Sequence, residues 1–107
     1  MVMEIIESKV WEILVPYKMG RKNVQVDYHR QWDEKVRGIS GGLTIHRVAK
    51  GQWVSPTGKL HRELMIPVRI ACSEKEIGKI MQITLEHYQQ EAVYASLVSE
   101  KALILHA

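Results

Sequence analysis

Apolar residues recur along the chain with two different periods, and the change of period divides it into strands and helices. Val10-Trp11-Glu12-Ile13-Leu14-Val15 is short, β-branched and aromatic, and Pro16 closes it, so a largely buried first strand is predicted there. The polar stretch Tyr17 to Val26 with its single Gly20 reads as an exposed loop. Asp27 is expected to cap a helix reaching about Ile39, with Trp32, Val36 and Ile39 as its buried stripe and Gly41-Gly42 ending it. Leu43 to Val54 predicts a second strand, and Ser55-Pro56-Thr57-Gly58 places Pro and Gly where a tight turn needs them.

The returning strand, Leu60 to Cys72, alternates. Leu60, Leu64, Ile66, Val68 and Ile70 share one face, and His61, Glu63, Met65 and Arg69 the other. Glu63 is thereby turned away from the helix-covered face, Arg62 is a polar exception on the apolar one, and Pro67 predicts a bulge or an edge position. Ser73-Glu74-Lys75-Glu76 is a capping box opening a second helix whose stripe is Ile77, Ile80, Met81, Thr84 and Tyr88. Ala92 to Ser99 then predicts a last strand, and Lys101 to His106 a short extra one. The order β-α-β-β-α-β, with only the middle strands joined by a hairpin, predicts an α+β, ferredoxin-like domain: an antiparallel sheet with both helices on one face. The other face, carrying Trp53 and Met65, is left for a ligand or another subunit, which predicts a homo-oligomer.

Length and composition narrow the classes. The 107 residues suffice for one domain, expected to span 1–107 with its core at about 9–99. The apolar share of 46% and charged share of 25% are ordinary for a globular protein. The net charge of +3 comes from scattered residues and does not point to nucleic acid. One Cys, no secretory leader pattern and no apolar run near the roughly 20 residues of a membrane span predict a cytoplasmic protein that neither crosses a membrane nor relies on disulfides. The His residues at 29, 46, 61, 87 and 106 show no ligand spacing, so no metal site is expected. Phosphate loops, dinucleotide fingerprints and nucleophile elbows are missing, and no cofactor is expected.

A polar constellation remains: Gly51-Gln52-Trp53 on strand two, Glu63 on strand three, and Tyr88-Gln89-Gln90-Glu91 where helix two turns into the last strand. Hairpin strands lying beside or near the last strand would bring these together. Gly51 would admit a ligand close to the backbone, and a carboxylate beside an aromatic ring suits a sulfonium or ammonium. Singly, each has an ordinary structural reading: Trp53 as packing, Glu63 as a solvated strand residue, Gln90 as a helix cap.

The pattern Gly51-x-Trp53, Glu63, Val68-x-Ile70 and Tyr88-x-Gln90-Glu91-x-Val93 resembles the phage S-adenosylmethionine lyases, formerly called SAM hydrolases, over Val10 to Ser99. It is similar also to a bacterial domain family of unknown function. The lyase resemblance implies a homotrimer with sites between subunits, in the host cytoplasm, that converts S-adenosylmethionine to 5′-methylthioadenosine and homoserine lactone. It implies Glu63 as the catalytic anchor of the substrate's polar end and Gln90 as an amide partner, with Trp53 where the lyases tend to have Tyr; Gly51, Arg62 and Tyr88 complete the expected substrate-binding set. Trp lacks the phenol hydroxyl, which bears on catalysis more than on binding. The alternative is a non-catalytic oligomer that sequesters a nucleotide-like small molecule, as in phage counter-defence. Trp53 would then stack on a base, and Arg62, Arg69 or Lys59 would meet phosphates; the basic loop from Lys18 to Lys22 favours this alternative.

Overall fold

The computed structural model describes residues 2–107. In chain order it has β1 (Glu4–Pro16), the short strands β2 (Lys18–Met19) and β3 (Lys22–Asn23), α1 (Val26–Ser40), β4 (Thr44–Ile45), β5 (Ala49–Val54), β6 (Leu60–Ala71), α2 (Glu74–His87) and β7 (Ala95–His106). β4 and β5 share one edge of β6, followed across the sheet by β1 and then β7, every pair antiparallel. Counted as one interrupted strand, β4 and β5 give the β-α-β-β-α-β order that the sequence predicts.

The two central strands set the core. Register pairs Trp11 with Ile70, Ile13 with Val68 and Val15 with Ile66, which puts one alternate set of both strands on a common face. Ile13, Val15, Val68 and Ile70 are fully buried there beneath Trp32 and Val36 of α1 and Ile77, Ile80 and Thr84 of α2. Burying each large apolar side chain contributes about 1.5–3 kcal/mol, so this face is where the helices must sit.

The helix ends follow local chemistry. At α2 the capping box forms: the Glu76 amide donates to Ser73 Oγ at 3.1 Å, and the Ser73 amide to Glu76 Oε1 at 2.9 Å. These bonds hold the Glu76 carboxyl below its usual range. α1 starts one residue before the expected cap, at Val26, with Gln25 as an N-cap that makes no side-chain bond. Asp27 instead sits in the first turn, where its charge favours the positive helix end and lies 3.6 Å from Arg30. Gly41, at φ +83°, ends the helix by donating its amide to the Arg37 carbonyl.

Three strand expectations are corrected. The predicted second strand is split, and Pro67 explains the gap. β4 pairs with Val68 and Arg69 and β5 with Leu60 to Met65, leaving the edge opposite Pro67 without a ladder donor; only the Pro67 carbonyl is used, by the His46 amide at 2.9 Å. The predicted polar loop after Pro16 contains the small β2–β3 hairpin, closed by Gly20 at φ +63°. At the other end, β1 begins at Glu4 and β7 runs unbroken to His106, the two pairing into a ribbon with a register shift between Ser8 and Trp11. Ile5, Leu103 and Leu105 are more than 60% exposed on this ribbon, so burial imposes no alternation by which it could be read. No helix among the described residues is long and apolar enough to cross a membrane.

Candidate functional site

The β5–β6 hairpin carries most of the predicted site, and its turn fixes the register. The Gly58 amide donates to the Ser55 carbonyl at 2.8 Å, the Ser55 amide to the Lys59 carbonyl at 2.9 Å, and Gly58 adopts φ +86°. Counting down from the turn, Trp53 pairs with His61, Gln52 with Arg62, Gly51 with Glu63 and Lys50 with Leu64. β6 keeps an even alternation from Ile70 back to Leu60, so Arg62, Gln52 and Lys50 lie on the side that bears the helices. Gly51, Trp53, His61 and Glu63 belong to the helix-free side.

A cleft of ≈ 430 Å³ opens at the base of this hairpin, a size ordinary for small-molecule sites. Arg62, Gln52 and Lys50 line it from the hairpin, Lys18 from the β2–β3 hairpin and Gln90 from the chain after α2; Gly51 and Glu63 contribute from the adjoining rung. A Cβ at Gly51 would meet Met65 Cγ at 3.7 Å and the Glu63 carbonyl at 3.8 Å, ordinary contacts, so nothing in this chain forces glycine there. Lys18 arrives because the Tyr17 amide donates to the Leu64 carbonyl at 3.1 Å, carrying the backbone over β6.

Gln90 is delivered by the end of α2. Its amide donates to the Leu85 carbonyl at 3.0 Å after Gln89 has turned through φ +52°, a left-handed conformation unusual for a non-glycine residue. The side-chain Oε1 is buried and has no hydrogen-bond partner among the described residues. Leaving a buried amide oxygen unsatisfied costs roughly 1–3 kcal/mol.

The helix end that aims Gln90 is locked against α1 by aromatic and polar contacts. Trp32 Nε1 donates to Thr84 Oγ1 at 2.9 Å, and the Tyr28 hydroxyl donates to the His87 carbonyl. His87 stacks on the Tyr28 ring with centroids 4.1 Å apart. Its Nε2–H donates to the Tyr28 carbonyl at 2.8 Å, which leaves Nδ1 to accept from the Lys35 ammonium at 3.1 Å. Tyr88 Oη lies 2.7 Å from His29 Nδ1. Burial shapes the titration here: desolvation lowers the His29 pKa against the opposing pull of Asp33, raises that of Asp33, and, aided by Asp33, raises that of the Tyr88 phenol.

The predicted residues thus separate. Glu63, Gly51, Arg62 and Gln90 meet at the cleft. The hairpin strand β6 lies near the last strand, with only β1 between them, and Gln90 comes in from the segment where α2 turns towards β7. Trp53 lies one rung beyond, stacked on His61 with centroids 4.2 Å apart and 39% exposed, outside the cleft lining. Tyr88 is 2% exposed and belongs to the core and the helix seam. Of the other lining residues, sequence reasoning met Lys18 only within the basic loop from Lys18 to Lys22 and Gln52 only within the Gly51–Trp53 stretch, and it missed Lys50. The signal for two of them was the alternation that makes Arg62 an exception, since its partner Gln52 and the next rung's Lys50 share its face. Among the described residues no three His, Cys, Asp or Glu side chains cluster to hold a metal ion. The buried Cys72 thiol is pushed up to about 11, chiefly by desolvation, and is poorly suited to act as a nucleophile at neutral pH.

No protein-family model and no curated protein matches the chain. Solved structures do. A phage SAM lyase in complex with S-methyl-5′-thioadenosine superposes with a TM-score of 0.61 at 16% identity, over 91% of this chain and 88% of that one. CutA1 from Oryza sativa gives 0.64 at 11% identity, over 91% and 83%. The divalent cation tolerance protein CutA1 from Thermus thermophilus gives 0.60 at 11% identity, over 89% and 86%. Identities this low speak to architecture alone, and on architecture the agreement is with the resemblance drawn from the motifs: the chain has the α+β fold shared by the phage SAM lyases and the CutA1 proteins.

Proposed function

We propose that the protein is a phage-type S-adenosylmethionine lyase or a close relative, working as a homo-oligomer, with a trimer as the favoured form, whose neighbouring subunit closes the open side of the cleft. The observation that carries this reading is the unpartnered Oε1 of Gln90, buried in a cleft that also receives Glu63, Gly51 and Arg62. A buried acceptor without a donor is costly unless a ligand supplies one.

The reaction asks little acid–base chemistry of the protein. An oxygen of the substrate's carboxylate bonds to the methylene carbon next to sulfur as the carbon–sulfur bond breaks. The electron pair leaves on sulfur, cancelling the sulfonium charge and giving neutral 5′-methylthioadenosine with homoserine lactone. No proton is transferred, so the protein's task is to fold the substrate into the reactive conformation, and positioning of this kind can supply several powers of ten in rate. Glu63 would anchor the cationic end, and Gln90 would bond to the adenine or amino group. The Trp53–His61 stack, outside the cleft of its own chain, would face the neighbouring subunit.

Incubation with S-adenosylmethionine and chromatographic detection of 5′-methylthioadenosine tests the proposal. Product should appear in proportion to protein, and Glu63→Gln should lower turnover by about 100-fold or more, as loss of a positioning contact does. Absence of product from folded protein would overturn the lyase reading. Unchanged turnover in the variant would overturn the role of Glu63 alone.

A further inference from the structure

Three cations from three elements meet at one concave place: Lys18 of β2, Lys50 of β5 and Arg62 of β6. Lys50 is paired with Leu64 and Gln52 with Arg62, so Lys50 and Arg62 are diagonal neighbours on one face, about 7–8 Å apart at the backbone and within reach of one another's long side chains. Lys18 approaches the same Leu64 rung from the other side of β6. Against these stands one acid in the lining, Glu63, an excess of 3 − 1 = 2 positive charges.

Three of the fifteen Lys and Arg residues form ion pairs among the described residues: Arg69 with Glu12, Lys101 with Glu7 and Arg30 with Asp27. Lys18, Lys50 and Arg62 make neither ion pairs nor side-chain hydrogen bonds among the described residues. Unpaired cations on a convex surface are ordinary. Gathered in a cleft, their mutual repulsion goes unrelieved and the field they produce is focused, which is the arrangement that attracts an anion.

We infer that Lys18, Lys50 and Arg62 form a phosphate subsite, and that the cleft accepts nucleoside phosphates, with the base's amine directed to Gln90. Two features select this class. The charge excess matches a phosphate dianion better than a single carboxylate, and a guanidinium beside ammonium groups provides both the bidentate fork and the point charges that phosphates take. The three cations are exposed at the rim, while the buried Gln90 Oε1 requires an N–H donor such as an exocyclic base amine. The inference rests on the cleft being the ligand site and not on lyase chemistry.

Calorimetric titration of the full chain with adenosine, AMP, ADP and inorganic pyrophosphate tests it. AMP and ADP should bind at least about tenfold more tightly than adenosine, with pyrophosphate alone binding measurably and the advantage shrinking in high salt. Lys50→Ala and Arg62→Ala, and independently Lys18→Ala, should each remove most of that advantage; all three sites are exposed, so melting temperatures should stay near the wild-type value. A phosphate that brings no gain over adenosine, or a gain that survives the substitutions, would overturn the subsite. Formation of 5′-methylthioadenosine in the same preparation reports separately on the lyase reading, so the two can fail independently.

Discussion

The seam between α1 and α2 and the cleft at the β5–β6 hairpin are both built from polar side chains in partly buried places, and α2 ends between them. In the seam, partners are found throughout: Trp32 with Thr84, Tyr28 and Lys35 with His87, His29 with Tyr88. In the cleft, Gln90 Oε1 has none among the described residues, and three cations face one acid. A polar group satisfied within its own chain serves the fold, whereas one left unsatisfied is paid for by stability and has to be explained by something that binds. The same helix end serves both, because locking His87 and Tyr88 fixes where Gln90 points.

Substitutions that exchange the two states should separate the regions. The largest effect on stability is expected from Thr84→Val, which strands the buried Trp32 N–H and should cost about 1–3 kcal/mol in urea unfolding. Gln90→Leu should do the opposite. It removes an acceptor that has no partner, so stability should hold or rise by up to about 1 kcal/mol while ligand binding falls; a loss of stability comparable with that of Thr84→Val would assign Gln90 to the fold. The smallest effect is a dependence on pH. His29 has a folded-state pKa below its unfolded value near 6.5, so the unfolded chain binds the proton first on acidification. Its contribution is complete above that unfolded value and is lost as pH falls through the window beneath it. Asp33, raised, acts in the opposite sense, favouring the folded state below its unfolded pKa near 3.8 and losing that contribution as pH rises. His29→Gln should therefore flatten the decline of the urea midpoint between pH 7 and 5, and a decline identical to wild type would assign it to other groups.

What could be read in the sequence depended on whether a residue's neighbours were set by local chemistry. The Ser55–Gly58 turn fixes the hairpin, so the rung joining Gly51 to Glu63 follows by counting. The Ser73–Glu76 box and the apolar stripe of α2 are equally local. Tyr88 belonged to two patterns at once, the stripe and the motif, and burial decided for the stripe. Lys18 could be read only as part of a basic loop, and nothing singled out Lys50, because only tertiary folding carries the β2–β3 hairpin onto β6. His87, at the close of a helix, gave no sign that both ring nitrogens would be engaged by α1.

The β1–β7 ribbon has a kinetic consequence. Glu4 lies opposite His106 and Ile13 opposite Ala95, so one central strand completes its pairing only with residues from the far end of the chain. Closing so large a loop is opposed by chain entropy until the contact is made. Helix α2 and the β5–β6 hairpin can form within microseconds from their own residues, but the sheet must wait for β7. Folding in the millisecond-to-second range of β-rich topologies is the expectation, and during synthesis β1 stays half-paired until the last strand has left the ribosome.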